Sequence, residues 1–240
     1  MKSTVSRAVV AVSVVAALGF TAACGGSDSG SGDEGKDKPS AEKTTEAAKP
    51  EGGAKALTAA QLKAAIIAQD DVTGYKVEEL PEAEWPTKSI PASADACQPI
   101  ADMVMFSTQT KAKSRIGRTV AEKKLASITS VALLAHEQAD AEKDLDALRT
   151  AVEKCEKFDH EDSSYTGVKA QPDPKLGDES VAYHLIGDIE GEETVMSFTV
   201  VRSGSTLVPF YTMNVVATGK TETPAAIIDA QLAKLEKAAG

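Results

Sequence analysis

Ser180–Asp188 reads SVAYHLIGD, Thr194–Arg202 reads TVMSFTVVR and Thr206–Ala217 reads TLVPFYTMNVVA; these three runs decide the fold. In the first, Val181, Tyr183 and Leu185 alternate with smaller or polar residues, the period-2 pattern of a strand with one face buried. Glu190-Gly191-Glu192 and Ser203-Gly204-Ser205 separate the runs with glycine-centred turns, so the three form an antiparallel meander. Pro209 lies inside the third run and has no N–H for a ladder, which predicts an edge strand or a bulge there. The second and third runs are apolar on both faces: Met196, Phe198 and Val200 against Val195 and Val201, then Leu207, Tyr211 and Met213 against Val208, Phe210 and Val216. One face must pack on helices, and the other is either a second core or a ligand groove.

The helices that would do this packing lie on both sides of the meander in sequence. Thr58 caps a first helix, Gln61 stands in the capping-box position, and Leu62, Ala65 and Ile66 give its apolar stripe. It fades near Asp70-Asp71, with Gly74 as a stop. From Tyr75 to Ala96 the chain is irregular or extended, interrupted by Pro81, Pro86 and Pro91. A short helix starts at Cys97, with Ile100, Met103 and Val104 on one side, and Lys111 to Lys113 is an exposed turn. Arg118 to Val120 and Ile128 to His136 read as extended, although the second run would also suit a buried helix. Ala139 to Phe158 is the clearest helix: Ala141, Leu145, Leu148, Val152 and Cys155 share one face, with Asp144, Glu153 and Lys154 turned outward. A last helix begins at Thr223-Pro224, a cap followed by proline at the first helical position, and buries Ile227, Ile228, Leu232 and Leu235. The fold class is therefore α+β: an antiparallel β-sheet with a C-terminal meander, flanked by helices.

The N-terminus addresses the chain to a membrane surface. Lys2 and Arg7 precede an uncharged apolar run, Ala8 to Phe20, which is short for a span and suited to a cleaved leader. Small residues Thr21-Ala22-Ala23 lead to Cys24-Gly25-Gly26, so residues 1–23 read as a lipoprotein signal peptide and Cys24 as the lipidated residue. Thr21 stands where a lipobox usually has leucine, and the same small residues suit ordinary signal peptidase, which leaves a secreted protein as the alternative. The chain has three cysteines. If Cys24 carries lipid, Cys97 and Cys155 remain as one pair, and an exported protein then has no leftover thiol. That disulfide would close a loop of about 59 residues and stabilise by about 4 kcal/mol on chain-entropy grounds; two buried free thiols are the alternative. Residues 24–56 hold no large apolar side chain after the cysteine, so they cannot offset their ordering entropy and read as a tether, about 30 Å end to end. Residues 57–240 then form one domain. The formal net charge of −10 and an aromatic content of 4% exclude nucleic acid as a partner.

Four segments carry a family likeness: Cys97-Gln98-Pro99-Ile100-Ala101, the extended segment leading into the long helix that ends at Cys155, Leu176-Gly177-Asp178-Glu179-Ser180, and Val200-Val201-Arg202-Ser203-Gly204. Across Leu57 to Lys237, in order, the chain resembles the extracellular sensor domain of the mycobacterial PknH receptor kinase and the lipoproteins that share that domain. The resemblance implies a helix-flanked antiparallel sheet with a ligand-binding cleft, and envelope signalling or recognition instead of catalysis. The chain departs from the pattern in two ways. The family usually has two disulfides where this chain can make one, and no kinase domain accompanies the sensor part, so signalling would need a partner protein.

The residues offer little for chemistry. His136, His160 and His184 have no zinc-binding spacing, and no nucleophile elbow or triad order is present. The acidic runs at Asp159-His160-Glu161-Asp162 and Asp188 to Glu193 lack a calcium-loop pattern and read as solvated loops. Gly177-Asp178-Glu179-Ser180 reads as turn chemistry at a strand start. Trp85, the one tryptophan, reads as packing on the domain surface, with a ligand or partner anchor as the alternative. The expectation is a non-catalytic binding or sensor module on the extracellular face of the membrane, with no cofactor and no metal. It would recognise a small amphipathic or envelope-derived ligand. Alternation alone selects His184, Phe198, Tyr211 and Met213 as lining residues. The alternative is an anchored protein that binds another envelope protein through the edge near Pro209 or the Trp85 loop.

Overall fold

A computed structural model describes residues 53–81, 85–86, 88–122, 127–189, 191–214 and 221–239. The leader, Cys24, most of the tether and the end of the third meander run (215–217) lie outside the described residues. The fold is α+β, as the sequence implies. Eight antiparallel strands form one sheet: β1 (Tyr75–Glu79), β2 (Ser114–Glu122), β3 (Ser127–Ala135), β4 (Lys157–His160), β5 (Ser163–Ala170), β6 (Glu179–Ile189), β7 (Glu192–Ser203) and β8 (Thr206–Asn214). Their order is β1-β2-β3-β8-β7-β6-β5-β4. Two meanders, β1 to β3 and β4 to β8, thus meet along one seam, β3 against β8.

The expected meander is β6-β7-β8, turning at Gly191 (φ 86°) and Gly204 (φ 57°), where the left-handed backbone favours glycine. The buried-helix alternative for Ile128 to His136 falls away, because the segment is β3. Pro209 does not mark an edge. It sits in β8, between β7 and β3, and its register opposite Val200 is regular. The missing N–H is accommodated on the other side: pairing with β3 holds at Val131–Phe210 and Leu134–Leu207 and lapses between them, beside Ala132 and Leu133. Strands β4 and β5 go beyond the sequence reading, which placed a solvated loop at Asp159 to Asp162. Only Glu161 and Asp162 are an exposed turn, while Phe158 and His160 point inward from β4.

Four helices cover the sheet on both faces: α1 (Ala59–Ala65), α2 (Gln98–Val104), α3 (Gln138–Lys154) and α4 (Ala225–Ala239). On the first face α2 and α3 pack against Tyr183, Leu185, Met196, Phe198 and Val200. On the second, α1 and α4 bring Leu62, Ile66, Ile227 and Leu235 onto Val131, Leu133, Val201, Val208 and Phe210. The doubly apolar strands therefore serve two cores, and each fully buried Leu or Phe contributes about 2 kcal/mol to holding a layer in place. The Thr58–Gln61 capping box forms as expected. Helix α1 stops at Ala65, where buried Gln231 of α4 accepts from the Ile67 N–H (2.8 Å) and donates to the Ala65 carbonyl (2.9 Å).

Helix α3 stops at Lys154, four residues before the expected Phe158, because Cys155 turns extended and the chain enters β4. Cys155 is bonded to Cys97, tying the end of α3 to the start of α2. The apolar face of α3 is as read, with one correction: Asp144 is buried, 4% exposed, where α3 meets the turn after α2.

Candidate functional site

Gly117 in β2 is where the site begins. A Cβ there would lie 2.5 Å from the Trp85 ring, so glycine lets the indole lie flat on the first face of the sheet. Trp85 is 6% exposed and packs against Phe106 with ring centroids 5.8 Å apart. The Arg115 guanidinium stacks over the indole at 5.0 Å. The packing reading of Trp85 is correct: the indole is buried, and its two partners, Phe106 and Arg115, line a pocket of about 440 Å³.

Three segments wall this pocket: Pro86, Lys88 and Ser89 from the chain before α2, the turn after α2 from Phe106, and the lead-in to β2 through Arg115. Asp102, 1% exposed on α2, fixes the first two. Its Oδ1 accepts from Ser89 Oγ (2.6 Å) and Gln98 Nε2 (3.1 Å), and its carbonyl accepts from Ser107 N (2.9 Å) and Ser107 Oγ (3.2 Å). The Ser107 and Phe106 N–H bonds to Asp102 and Met103 carbonyls form a Schellman closure, and Phe106 occupies the left-handed position (φ 48°) usual for glycine. That conformation costs a β-carbon residue about 1–2 kcal/mol, offset here by burial of the ring against Trp85.

The walls are cationic. Among the described residues Lys88, Lys111, Lys113 and Arg115 line the pocket, and no described carboxylate does. Its hydroxyls are spent on the protein itself: Ser89 and Ser107 donate to Asp102, Thr108 to the Thr110 carbonyl (2.7 Å), and Ser114 to the Leu57 carbonyl (2.7 Å). Behind the wall His136, 1% exposed, places Nε2 3.4 Å from Thr108 Oγ1. Burial pushes its pKa down to about 4, with Asp140 opposing and Lys113 assisting. On the same turn Thr110 N donates to Asp144 Oδ1 (3.3 Å). Burial raises Asp144 to about 6, against the Thr110 hydrogen bonds, with Asp140 adding to the rise and Lys143 opposing it.

The chain reaches the domain at this same end of the sheet. Ala54 N donates to Gln138 Oε1 (2.8 Å), Ser205 Oγ to the Lys55 carbonyl (2.8 Å), and Ser114 Oγ to the Leu57 carbonyl. Ser114 thus belongs to both the pocket and the root of the tether.

The residues chosen by alternation are elsewhere. Phe198 is fully buried in a stack with Tyr183 (4.8 Å) and Tyr211 (4.8 Å) on the first face, and Met213 follows Tyr211 on that face. His184 pairs with Ser197 and faces the opposite way, so one cleft cannot hold all four. Phe198 belongs to the first core, and half-buried Tyr211 packs against it. What the alternation argument passed over was Lys111, Lys113 and Arg115, which repeat at period 2 into β2, and Gln98 with Asp102, one helical turn apart on α2. Both patterns are present in the sequence. The Gly177-Asp178-Glu179 and Val201-Arg202-Ser203-Gly204 segments meet at the β6–β7 corner: Arg202 Nη1 reaches Asp178 Oδ2 (2.9 Å) and Nη2 reaches Glu179 Oε1 (3.0 Å).

Among solved structures, the extracellular domain of PknH from Mycobacterium tuberculosis superimposes with a TM-score of 0.52 at 9% identity, covering 78% of this chain and 98% of that one. The fold is that of the PknH extracellular domain. An uncharacterised protein from Mycobacterium smegmatis aligns at a TM-score of 0.38 and 15% identity, over 73% of this chain and 94% of that one. No protein-family profile matches the chain, and no curated protein matches it. The likeness is one of fold, and the cationic pocket is built from this chain's own residues. Among the described residues no helix is long and apolar enough to cross a membrane.

Proposed function

We propose that this chain is a non-catalytic binding domain on the extracellular face of the cell membrane, held there by lipid on Cys24, and that it recognises a small amphipathic ligand. The observation that carries the reading is the pocket of about 440 Å³, which has the size of a small-molecule site and joins an apolar floor to a polar wall. Phe106, Pro86 and Ala112 supply apolar surface, while the lysines and Arg115 supply charge. The leader, the Cys24 parity argument and the extracellular setting of the PknH domain with this fold support the placement. No reaction is suggested by the histidines that are placed: His136 is sealed behind Thr108, and His160 Nε2 lies 3.2 Å from the Ile90 carbonyl.

The partner-protein alternative loses the edge it named at Pro209, which is in a central strand, and Trp85 itself is buried and is not an exposed anchor. Native mass spectrometry of the chain released from its own membranes tests the proposal. A mass beginning at an acylated Cys24 with additional bound small-molecule mass is expected. An unacylated chain would remove the anchor, and a failure to retain or be thermally shifted by any of a broad set of amphiphiles would remove the ligand.

A further inference from the structure

We infer that the pocket takes a phosphate-bearing amphiphile, its anionic head held by Arg115, Lys113, Lys111 and Lys88 and its short apolar part lying toward Phe106. This deepens the binding reading above and rests on it. The chain is acidic, with 36 Asp and Glu against 26 Lys and Arg, yet among the described residues four cations and no carboxylate line this cavity. Mutual repulsion among them is unfavourable unless something anionic sits between.

The arginines sharpen the point. Among the described residues, Arg118 pairs with Glu79, Arg149 with Asp146 and Glu179, and Arg202 with Asp178 and Glu179. Arg115 alone of these has no carboxylate and rests on the Trp85 face instead, which leaves its planar donors available for oxyanions. Because the hydroxyls of Ser89, Ser107, Thr108 and Ser114 already donate to protein acceptors, recognition falls to the cations, and four of them match a doubly charged phosphate better than a single carboxylate.

Position supports an amphiphile over a free ion. Ser114 joins the pocket to the root of the tether, so a domain anchored through residue 24 carries this pocket on the side where the tether meets it. The net negative charge keeps the rest of the domain off an anionic surface. The local cationic pocket can still take a single head group.

Trp85, the sole tryptophan, is a built-in reporter, because an anion drawn to Arg115 perturbs the stacked indole. The full chain in neutral detergent is titrated with inorganic phosphate, dihexanoyl phosphatidic acid and dihexanoylglycerol, following Trp85 emission with calorimetry as the second readout. Phosphatidic acid is expected to saturate the signal and to bind at least about tenfold more tightly than phosphate alone, with affinity falling as salt rises. The exposed pair Lys111→Gln and Lys113→Gln should weaken it about tenfold without unfolding the domain. Equal affinity for phosphate alone overturns the amphiphile and leaves a free oxyanion site. Equal binding of dihexanoylglycerol, unmoved by the lysine changes, overturns the anion while the small-ligand reading stands. Silence toward all three overturns both.

Discussion

Arg202 at the end of β7 reaches Asp178, just before β6, with its Nη1 2.9 Å from Oδ2, and the same carboxylate oxygen accepts from Gly204 N at 2.7 Å. Asp178 N in turn donates to the Arg202 carbonyl (2.9 Å), so one aspartate closes the corner from both sides. The guanidinium side chain is 7% exposed and is therefore sensitive to losing a partner. Asp178→Ala should cost about 2 kcal/mol in urea unfolding. Gly177→Ala should cost more, since φ is 59° and the new Cβ would lie 2.4 Å from the Arg202 carbonyl. Unchanged stability in both would remove this corner as a structural lock.

The pH dependence should be nearly flat in the native chain and revealed by single changes. Asp144 releases its proton at about 6 when folded and near 3.8 when unfolded. Its stabilising contribution is full below about pH 4 and lost as pH rises through 6. His136 is opposite, protonating at about 4 folded and near 6.5 unfolded, so its contribution is full above 6.5 and lost as pH falls toward 4. Asp144→Asn should leave a chain that loses on the order of 2 kcal/mol on acidification across this window, and His136→Gln one that gains stability there. Denaturant midpoints from pH 4 to 7 read this directly, and parallel profiles for the two variants would contradict it.

Gly117→Ala tests the Trp85–Arg115 stack beside the pocket. The added methyl overlaps Trp85, so the indole must lift, Arg115 loses its stacking partner, and the emission should shift to the red with a loss of about 2 kcal/mol. An unshifted spectrum with native stability would mean the ring has room that the packing denies it.

The Cys97–Cys155 bridge joins the two helices that cover the first face across a sequence separation of 58 residues. Replacing both by alanine should lower stability by about 3–4 kcal/mol, measured against the oxidised chain in the same denaturant series. A loss below 1 kcal/mol would show that packing of α3 alone holds that face.

Much of the fold is written in periodicity. The alternation of Val181, Tyr183 and Leu185 and the 3–4 spacing from Ala141 to Cys155 each report a buried face, because burial follows side-chain direction. What escapes is what depends on distant neighbours. Pro209 reads as an edge because a lone strand does not reveal that its proline can fall where a neighbouring ladder lapses. Asp144 reads as exposed because nothing local says that the turn at Thr108–Thr110 will close over it. For the candidate site, the strand alternation that chose Phe198 and Tyr211 measures burial, and large aromatic residues satisfy it best when they are core. The cations at Lys111, Lys113 and Arg115 were legible as a period-2 pattern, but their meaning required Trp85 and Asp102, brought in by the loop before α2 and by α2 itself.

The seam between β3 and β8 also sets the order in which the molecule can assemble. Every other strand pairing joins strands that are consecutive along the chain, whereas this one waits for segments some 80 residues apart to find each other. Its ladder is also interrupted beside Pro209, so fewer hydrogen bonds reward the encounter. The two meanders are therefore the early-forming units, and their docking, sealed by the buried Thr129–Thr212 hydroxyl pair (2.9 Å), is the late step: substitutions at the seam should speed unfolding while leaving the refolding rate nearly unchanged.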